Sequence, residues 1–255
     1  MDAAAFVLIS LRPANAHAVL RRAAARHGGR LLAISPWRIV PHDDAASRRG
    51  LAAALACPTL VFTSPNAVRA ADALHPLRSI SGKTWLAVGE GSRRALADTG
   101  ITQALAPPRM DSEGLLAMPQ LTGLVAGDRV GLVTAPGGRG EIVRQLSARG
   151  IELLRANVYS REPLRLSGRA IAGLHEVLRS PPGAPVLALT SAEALAWLLA
   201  ELPDALSIQL KHQASVIAAS ARLAALAKHA GFARIRQAAS ARPADLIAAM
   251  IDGGQ

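Results

Sequence analysis

Thr63-Ser64-Pro65-Asn66 and Thr190-Ser191-Ala192-Glu193 each place a hydroxyl pair where an apolar run gives way to a helical pattern. A serine at such a turn caps the helix, and Pro65 suits its first position. The same turn presents free N–H groups and the positive end of the helix dipole, which suits carboxylates, so the two roles coexist. Gly137-Gly138-Arg139 also follows an apolar run, and there glycine lets backbone amides approach an anion while Arg139 supplies a planar fork. It lacks the Gly-x-x-x-x-Gly-Lys spacing of a phosphate loop, and a plain tight turn is the competing reading. Tyr159, the single tyrosine, carries a phenol that both donates and accepts, or else it is an aromatic strand residue that only packs.

Other residue types offer less. The histidines (His17, His27, His42, His75, His175, His212, His229) show no pair at helical or strand spacing that converges on a metal, and read as surface or cap residues. Glu141, Glu152 and Glu162 read as solvated helix or linker charges rather than general bases. Cys57 beside Pro58 reads as a buried apolar side chain. A single cysteine excludes a disulfide framework and multi-thiolate metal sites, and suits a reducing compartment.

The formal net charge of +11 invites a nucleic-acid reading until the cations are sorted. Of 29 basic residues three are lysines (Lys83, Lys211, Lys228), leaving 26 arginines scattered in ones and twos. Aromatics available for base stacking make up 3% of the chain, so nucleic acid is disfavoured, while a polyanionic small molecule is compatible with the charge. The first residues form a short apolar run without a basic leader, followed directly by Arg12, which predicts a buried first strand rather than a signal peptide. No run of about 18 apolar residues occurs, so no membrane span is expected and a soluble protein is.

The elements that must position these residues follow a βα rhythm, which predicts parallel sheets. Apolar runs at 7–10, 60–64, 85–89, 130–134, 186–191 and 216–220 lead into helical patterns at 14–27, 65–74, 91–99, 139–149, 192–202 and 221–230. Those helices close near Gly28, Pro76, Gly100, Gly150, Pro203 and Gly231. The units repeat. Residues 62–68 parallel 189–195, displaced by 127 (Ser64 to Ser191), and 88–101 parallel 219–232, displaced by 131 (Gly100 to Gly231). The stretch from Val130 to Gly150 with Glu152-Leu153-Leu154 parallels Val7 to Gly29 with Arg30-Leu31-Leu32, so the N-terminal piece belongs with the last third of the chain. That circular order predicts two similar α/β domains, one inserted in the other. The crossings near 34–41 and 157–163 are expected to pair as a two-strand hinge, with a ligand between the domains at the carboxyl ends of the strands.

Several segments together resemble the uroporphyrinogen-III synthase family over essentially the whole length. They are Leu11-Arg12-Pro13, Phe62-Thr63-Ser64-Pro65-Asn66-Ala67-Val68, Ala87-Val88-Gly89-Glu90-Gly91-Ser92 and Ser112-Glu113-Gly114-Leu115-Leu116. They continue with Gly137-Gly138-Arg139, Ala148-Arg149-Gly150, Val158-Tyr159-Ser160-Arg161, Leu189-Thr190-Ser191 and Ser220-Ala221-Arg222. Each is weak alone, and their order and spacing are specific.

The resemblance implies an α/β fold of two parallel-sheet domains, 1–36 with 161–255 and the inserted 37–160, joined by a two-strand hinge with the active site in the interdomain cleft. It implies cyclisation of hydroxymethylbilane, a linear tetrapyrrole that loses its terminal hydroxyl as water to give an electrophilic azafulvene. Ring D attacks through its substituted carbon, a spiro intermediate fragments, and the ring recloses inverted as uroporphyrinogen III. Because the bilane closes unaided to the type I isomer, the protein's task is to fold the substrate and steer it. The resemblance implies Tyr159 as proton donor to the departing hydroxyl. It implies carboxylate binding by Arg12 (with Pro13 starting the first helix), Thr63, Ser64, Gly89, Ser92, Gly138, Arg139, Thr190, Ser191, Ser220 and Arg222. Ser220-Ala221-Arg222 departs from the Gly-Pro-Thr-type turn of many relatives, which leaves open which of Ser220 and Arg222 makes the contact. No metal and no organic cofactor is implied. A cytoplasmic monomer is expected, without nucleic-acid or membrane partners and with a transient contact to porphobilinogen deaminase. A two-domain module that closes on an anionic small molecule without chemistry is the alternative.

Overall fold

The computed structural model describes residues 6–14, 16–137, 140–179 and 183–251. In chain order the elements are β1 (Phe6–Ser10), α1 (Ala18–Arg26), β2 (Arg30–Ala33), β3 (Trp37–Pro41), α2 (Ala45–Ala56), β4 (Thr59–Phe62), α3 (Pro65–Leu74) and β5 (Thr84–Ala87). There follow α4 (Glu90–Asp98), α5 (Ser112–Leu116), α6 (Pro119–Thr122), β6 (Arg129–Thr134), α7 (Glu141–Ala148), β7 (Glu152–Asn157) and β8 (Tyr159–Pro163). The last are α8 (Gly168–Arg179), β9 (Ala184–Leu189), α9 (Ala192–Glu201), α10 (Asp204–Gln213), β10 (Ser215–Ala218), α11 (Ala221–His229), β11 (Arg234–Gln237) and α12 (Pro243–Ile251).

The described residues up to Arg38 and from Glu162 onward form one compact unit, and Ile39–Arg161 form the other. The chain leaves the first unit in β3 and returns in β8, and these strands pair as a two-stranded sheet. The first unit holds a sheet in the order β11-β10-β9-β1-β2 and the second a sheet in the order β5-β4-β6-β7. Within both sheets the pairings are parallel.

The registers show how closely the two units repeat. Thr59 pairs with Thr84 in one sheet as Val186 pairs with Ser215 in the other, and the bridge Leu86–Leu105 answers to Ile217–Arg236. These are the displacements of 127 and 131 read from the sequence. The remaining piece differs by one residue from its sequence alignment: Val130 corresponds to Leu8, not Val7. Thr59 pairs with Val130 as Val186 pairs with Leu8, and Val130 pairs with Leu153 as Leu8 pairs with Leu31. A one-residue slip would exchange the faces of the strand. Packing decides it, since Leu8 and Val130 both lie in the core on the helix side that also takes Leu31 and Leu153.

Local chemistry explains several helix ends. Ser64, Ser191 and Ser220 cap α3, α9 and α11 by accepting the N–H groups of Ala67 (3.1 Å), Ala194 (3.3 Å) and Leu223 (3.4 Å). Gly100 and Gly231, equivalent in the repeat, end α4 and α11 with the same positive φ of 96°. The first helix is shorter than its sequence pattern. Pro13 does not start it but accepts the Ala16 N–H in a turn, and α1 begins at Ala18. The sequence pattern misses α2, whose alanine-rich run buries just Leu51, Ala54 and Leu55, yet Asp44 caps it through the Ser47 N–H at 2.8 Å. In the second unit Phe62 and Trp85 stack at 5.8 Å in a core that also holds Tyr159. No helix among the described residues is long and apolar enough to cross a membrane.

Candidate active site

In the second unit the carboxyl edge of the sheet gathers hydroxyl groups. Ser64 Oγ, already accepting the Ala67 N–H, lies 3.0 Å from Tyr159 Oη. One residue earlier, the Thr63 hydroxyl donates to Thr134 Oγ1 at 2.8 Å, joining the ends of β4 and β6. The Thr134 hydroxyl reaches on to the Ala135 carbonyl at 3.4 Å. Tyr159 itself is 1% exposed, its ring fixed in the core beside Phe62 and Trp85. Because Ser64 accepts from the helix and can accept from the phenol, its own proton is free to point outward.

Thr63, the neighbour of Ser64, opens onto a cavity of about 180 Å³ that Thr134, Gly137, Glu141, Arg155 and Arg161 also line, with Ser112 at its wall. Its charge balance is basic, since Glu141 is engaged by Arg144 (2.5 Å) and Gln145 (2.6 Å) on its own helix. Gly137 and Gly140 turn through positive φ of 83° and 65° on either side of Gly138 and Arg139, which lie outside the described residues. Gly140 is the N-cap of α7, so the helix opens after the glycine turn. On the neighbouring strand end, Gly89 caps α4 and Ser92 is buried in its first turn.

In the first unit, Thr190 and Ser191 follow β9, and Ser220 follows β10 with exposed Arg222 in the first turn of α11. Arg12 follows β1 and donates from Nη2 to the Ala241 carbonyl at 3.1 Å. Its Nε is buried and finds no hydrogen-bond partner among the described residues, and burial lowers the pKa of the guanidinium. The structure thus places Thr63, Ser64 and Tyr159 together in one unit, and Arg12, Thr190, Ser191, Ser220 and Arg222 along one sheet edge of the other.

His17, expected at the surface or in a cap, stands at the N-cap position of α1 but is buried and makes no capping bond. Its ring bridges two serine hydroxyls instead, Nδ1 to Ser10 Oγ at 3.0 Å and Nε2 to Ser35 Oγ at 2.9 Å. Desolvation first, then Arg21 and Arg12, lower its pKa below 6.5. The folded ring takes up its proton at a lower pH than the unfolded chain does, so this contribution is fully present above about pH 6.5 and is lost as pH falls through the lowered folded value. Unfolding free energies from urea titrations at about pH 7.5 and 5.5 should fall more steeply for the parent than for His17→Gln, by at most about 1.4 kcal/mol per pH unit. Equal slopes would remove His17 from the pH response.

Cys57 is buried, and burial pushes its thiol up, as suits a packing role. Among the described residues no group of three His, Cys, Asp or Glu side chains is placed to hold a metal ion. Sequence reasoning does not single out Thr134, Arg155 or Arg161 as site residues. Thr134 carries a signal that could find it, since it ends β6 beside the end of β4 that carries Thr63.

A search of curated proteins by sequence gave no match. The family model described as Uroporphyrinogen-III synthase HemD matches residues 18–248. Among solved structures, a mutant uroporphyrinogen III synthase from the extremely thermophilic bacterium Thermus thermophilus superposes with a TM-score of 0.60 at 17% identity, covering 97% of this chain and 98% of that one. Uroporphyrinogen-III synthetase from Helicobacter pylori gives 0.62 at 14% identity, covering 96% and 98%. At such identities the superpositions speak for the two-domain α/β fold, and the family model, spanning most of the sequence, speaks for the family. The chain belongs to the uroporphyrinogen-III synthase family.

Proposed function

We propose that the second unit's cavity and its hydroxyl network form the part of the active site where the leaving hydroxyl and a substrate carboxylate are handled. The enzyme is a cyclising lyase of porphyrin and haem biosynthesis that converts hydroxymethylbilane to uroporphyrinogen III with loss of water and inversion of ring D. A linear tetrapyrrole is several times larger than a 180 Å³ cavity, so the cavity takes one carboxylate-bearing arm and leaves the rings outside. Arg161 supplies a cationic donor to that arm, and the Thr63 and Thr134 hydroxyls, joined to one another, form its polar wall. Proton delivery runs from Ser64, whose hydroxyl is backed by the Tyr159 phenol at 3.0 Å. The phenol restores the serine proton, and the proton that ring D sheds when the macrocycle closes returns to the phenol, so both hydroxyls end the cycle protonated. This hydroxyl pair is the observation that carries the reading.

In the same reading Gly89 and Ser92 shape the second unit's neighbouring turn. Arg12, Thr190, Ser191, Ser220 and Arg222 in the first unit bind further carboxylates through helix N-termini and guanidinium, with Gly138 and Arg139 adding to the glycine turn. The units act as domains 1–36 with 161–255 and 37–160, closing about the crossings as a hinge. The enzyme works as a cytoplasmic monomer and meets porphobilinogen deaminase transiently.

The test is a coupled assay. Porphobilinogen and porphobilinogen deaminase are incubated with and without the protein, and the oxidised products are separated into type I and type III uroporphyrins. A protein-dependent swing to type III is expected. Unchanged type I product from a folded sample would favour the non-catalytic anion-binding alternative.

A further inference from the structure

Arg155 stands where the repeat calls for a small residue. From the equivalent pairs Leu8–Leu31 and Val130–Leu153, two steps onward bring Ser10–Ala33 in one unit and Leu132–Arg155 in the other. Strand formation at this slot is satisfied by alanine, so the arginine serves something besides the sheet. Arg155 lines the cavity, and its guanidinium donates from Nη2 to the Ala135 carbonyl at 2.8 Å and from Nε to Asn157 Oδ1 at 3.0 Å. Ala135 is the first residue of the β6–α7 turn, the segment that carries Pro136 and the two positive-φ glycines Gly137 and Gly140. Glycine at 137 leaves the backbone after Pro136 conformationally free, and a fork anchored at Asn157 fixes Ala135 at the point where the chain leaves the sheet.

We infer that Arg155 is a positioning residue for the reaction: it acts through the Ala135 carbonyl to hold Ala135, Pro136 and Gly137, which line the cavity, in the shape that receives substrate. This inference rests on the reading that the cavity takes a substrate arm. A wall that wanders weakens binding of that arm in ground and transition states alike, so the loss appears in KM rather than in kcat.

The experiment compares full-length Arg155→Ala, Arg155→Lys and Thr63→Val with the parent in initial-rate kinetics on hydroxymethylbilane, alongside circular dichroism and thermal midpoints. Arg155→Ala, which installs the residue of the other unit, should raise KM about tenfold with kcat held within about twofold and the fold retained. Arg155→Lys reaches one acceptor without the fork and should recover part of the lost affinity. A parent-like KM for Arg155→Ala overturns the inference. So does a lysine variant as impaired as the alanine one, with both thermal midpoints lowered in step, because that is the mark of a merely structural arginine. Thr63→Val separates the two readings. If it raises KM while Arg155→Ala does not, only the positioning role falls; if neither changes KM, the cavity itself is not the substrate site.

Discussion

Tyr159→Phe should lower kcat on hydroxymethylbilane by about ten- to a hundredfold while leaving circular dichroism unchanged. Phenylalanine keeps the ring among Phe62 and Trp85, so the core stays filled and the change is confined to one hydroxyl. That hydroxyl makes a 3.0 Å bond to Ser64, and its loss costs about 1 kcal/mol of stability. Ser64→Ala should show a similar kinetic loss together with the loss of a helix cap, again about 1 kcal/mol. The double variant should be little worse than either single one, since both remove the same proton path. Strictly additive rate losses would separate the two residues into independent roles, and a parent-like kcat for Tyr159→Phe would remove the phenol from the mechanism.

Gly131→Ala should destabilise the second unit by about 3 kcal/mol or more, measured as a shift in urea midpoint. A Cβ at this position would stand 2.1 Å from the Ala54 carbonyl oxygen and 2.9 Å from Leu60 Cδ2. Neither neighbour can yield cheaply, because Ala54 is fully buried in α2 and Leu60 lies in the core of β4. The equivalent position in the first unit is Ile9, fully buried in β1, so a strand at this place in the fold does not demand glycine. The demand comes from α2, which packs down on β6 and β7. An unshifted midpoint would mean that α2 moves off the sheet at little cost.

The comparison of Ile9 with Gly131 marks the limit of what can be read from the chain. Caps, positive-φ glycines and short apolar runs act over a few residues, so the β–turn–α units and the serines at their turns are legible directly. Their displacement along the chain also discloses the circular order of the two repeats, and the observed registers follow it except where packing moves Val130 from Val7 to Leu8. The sequence pattern misplaces the α1 boundary because Pro13 closes a turn instead of opening the helix. Helix α2 escapes it because alanine leaves no stripe to detect.

The site is a different matter. Ser64 meets Tyr159 across 95 residues, Thr63 meets Thr134 across 71, and Arg155 reaches Ala135 across 20. The Thr63 and Arg155 contacts depend on β4, β6 and β7 lying side by side in that order, and the Ser64 contact also on β8 following β7 directly. His17 reads as a cap in one dimension, and becomes a buried bridge only because Ser10, which ends β1, and Ser35, which follows β2, are brought together by the pairing of those strands. The family, the repeated units and the residue types at their turns are legible along the chain, because these are local or periodic. Tertiary structure decided which hydroxyls share a proton, which arginine braces a turn and which strand residue must be glycine, because those depend on distances between segments that the order of residues does not contain.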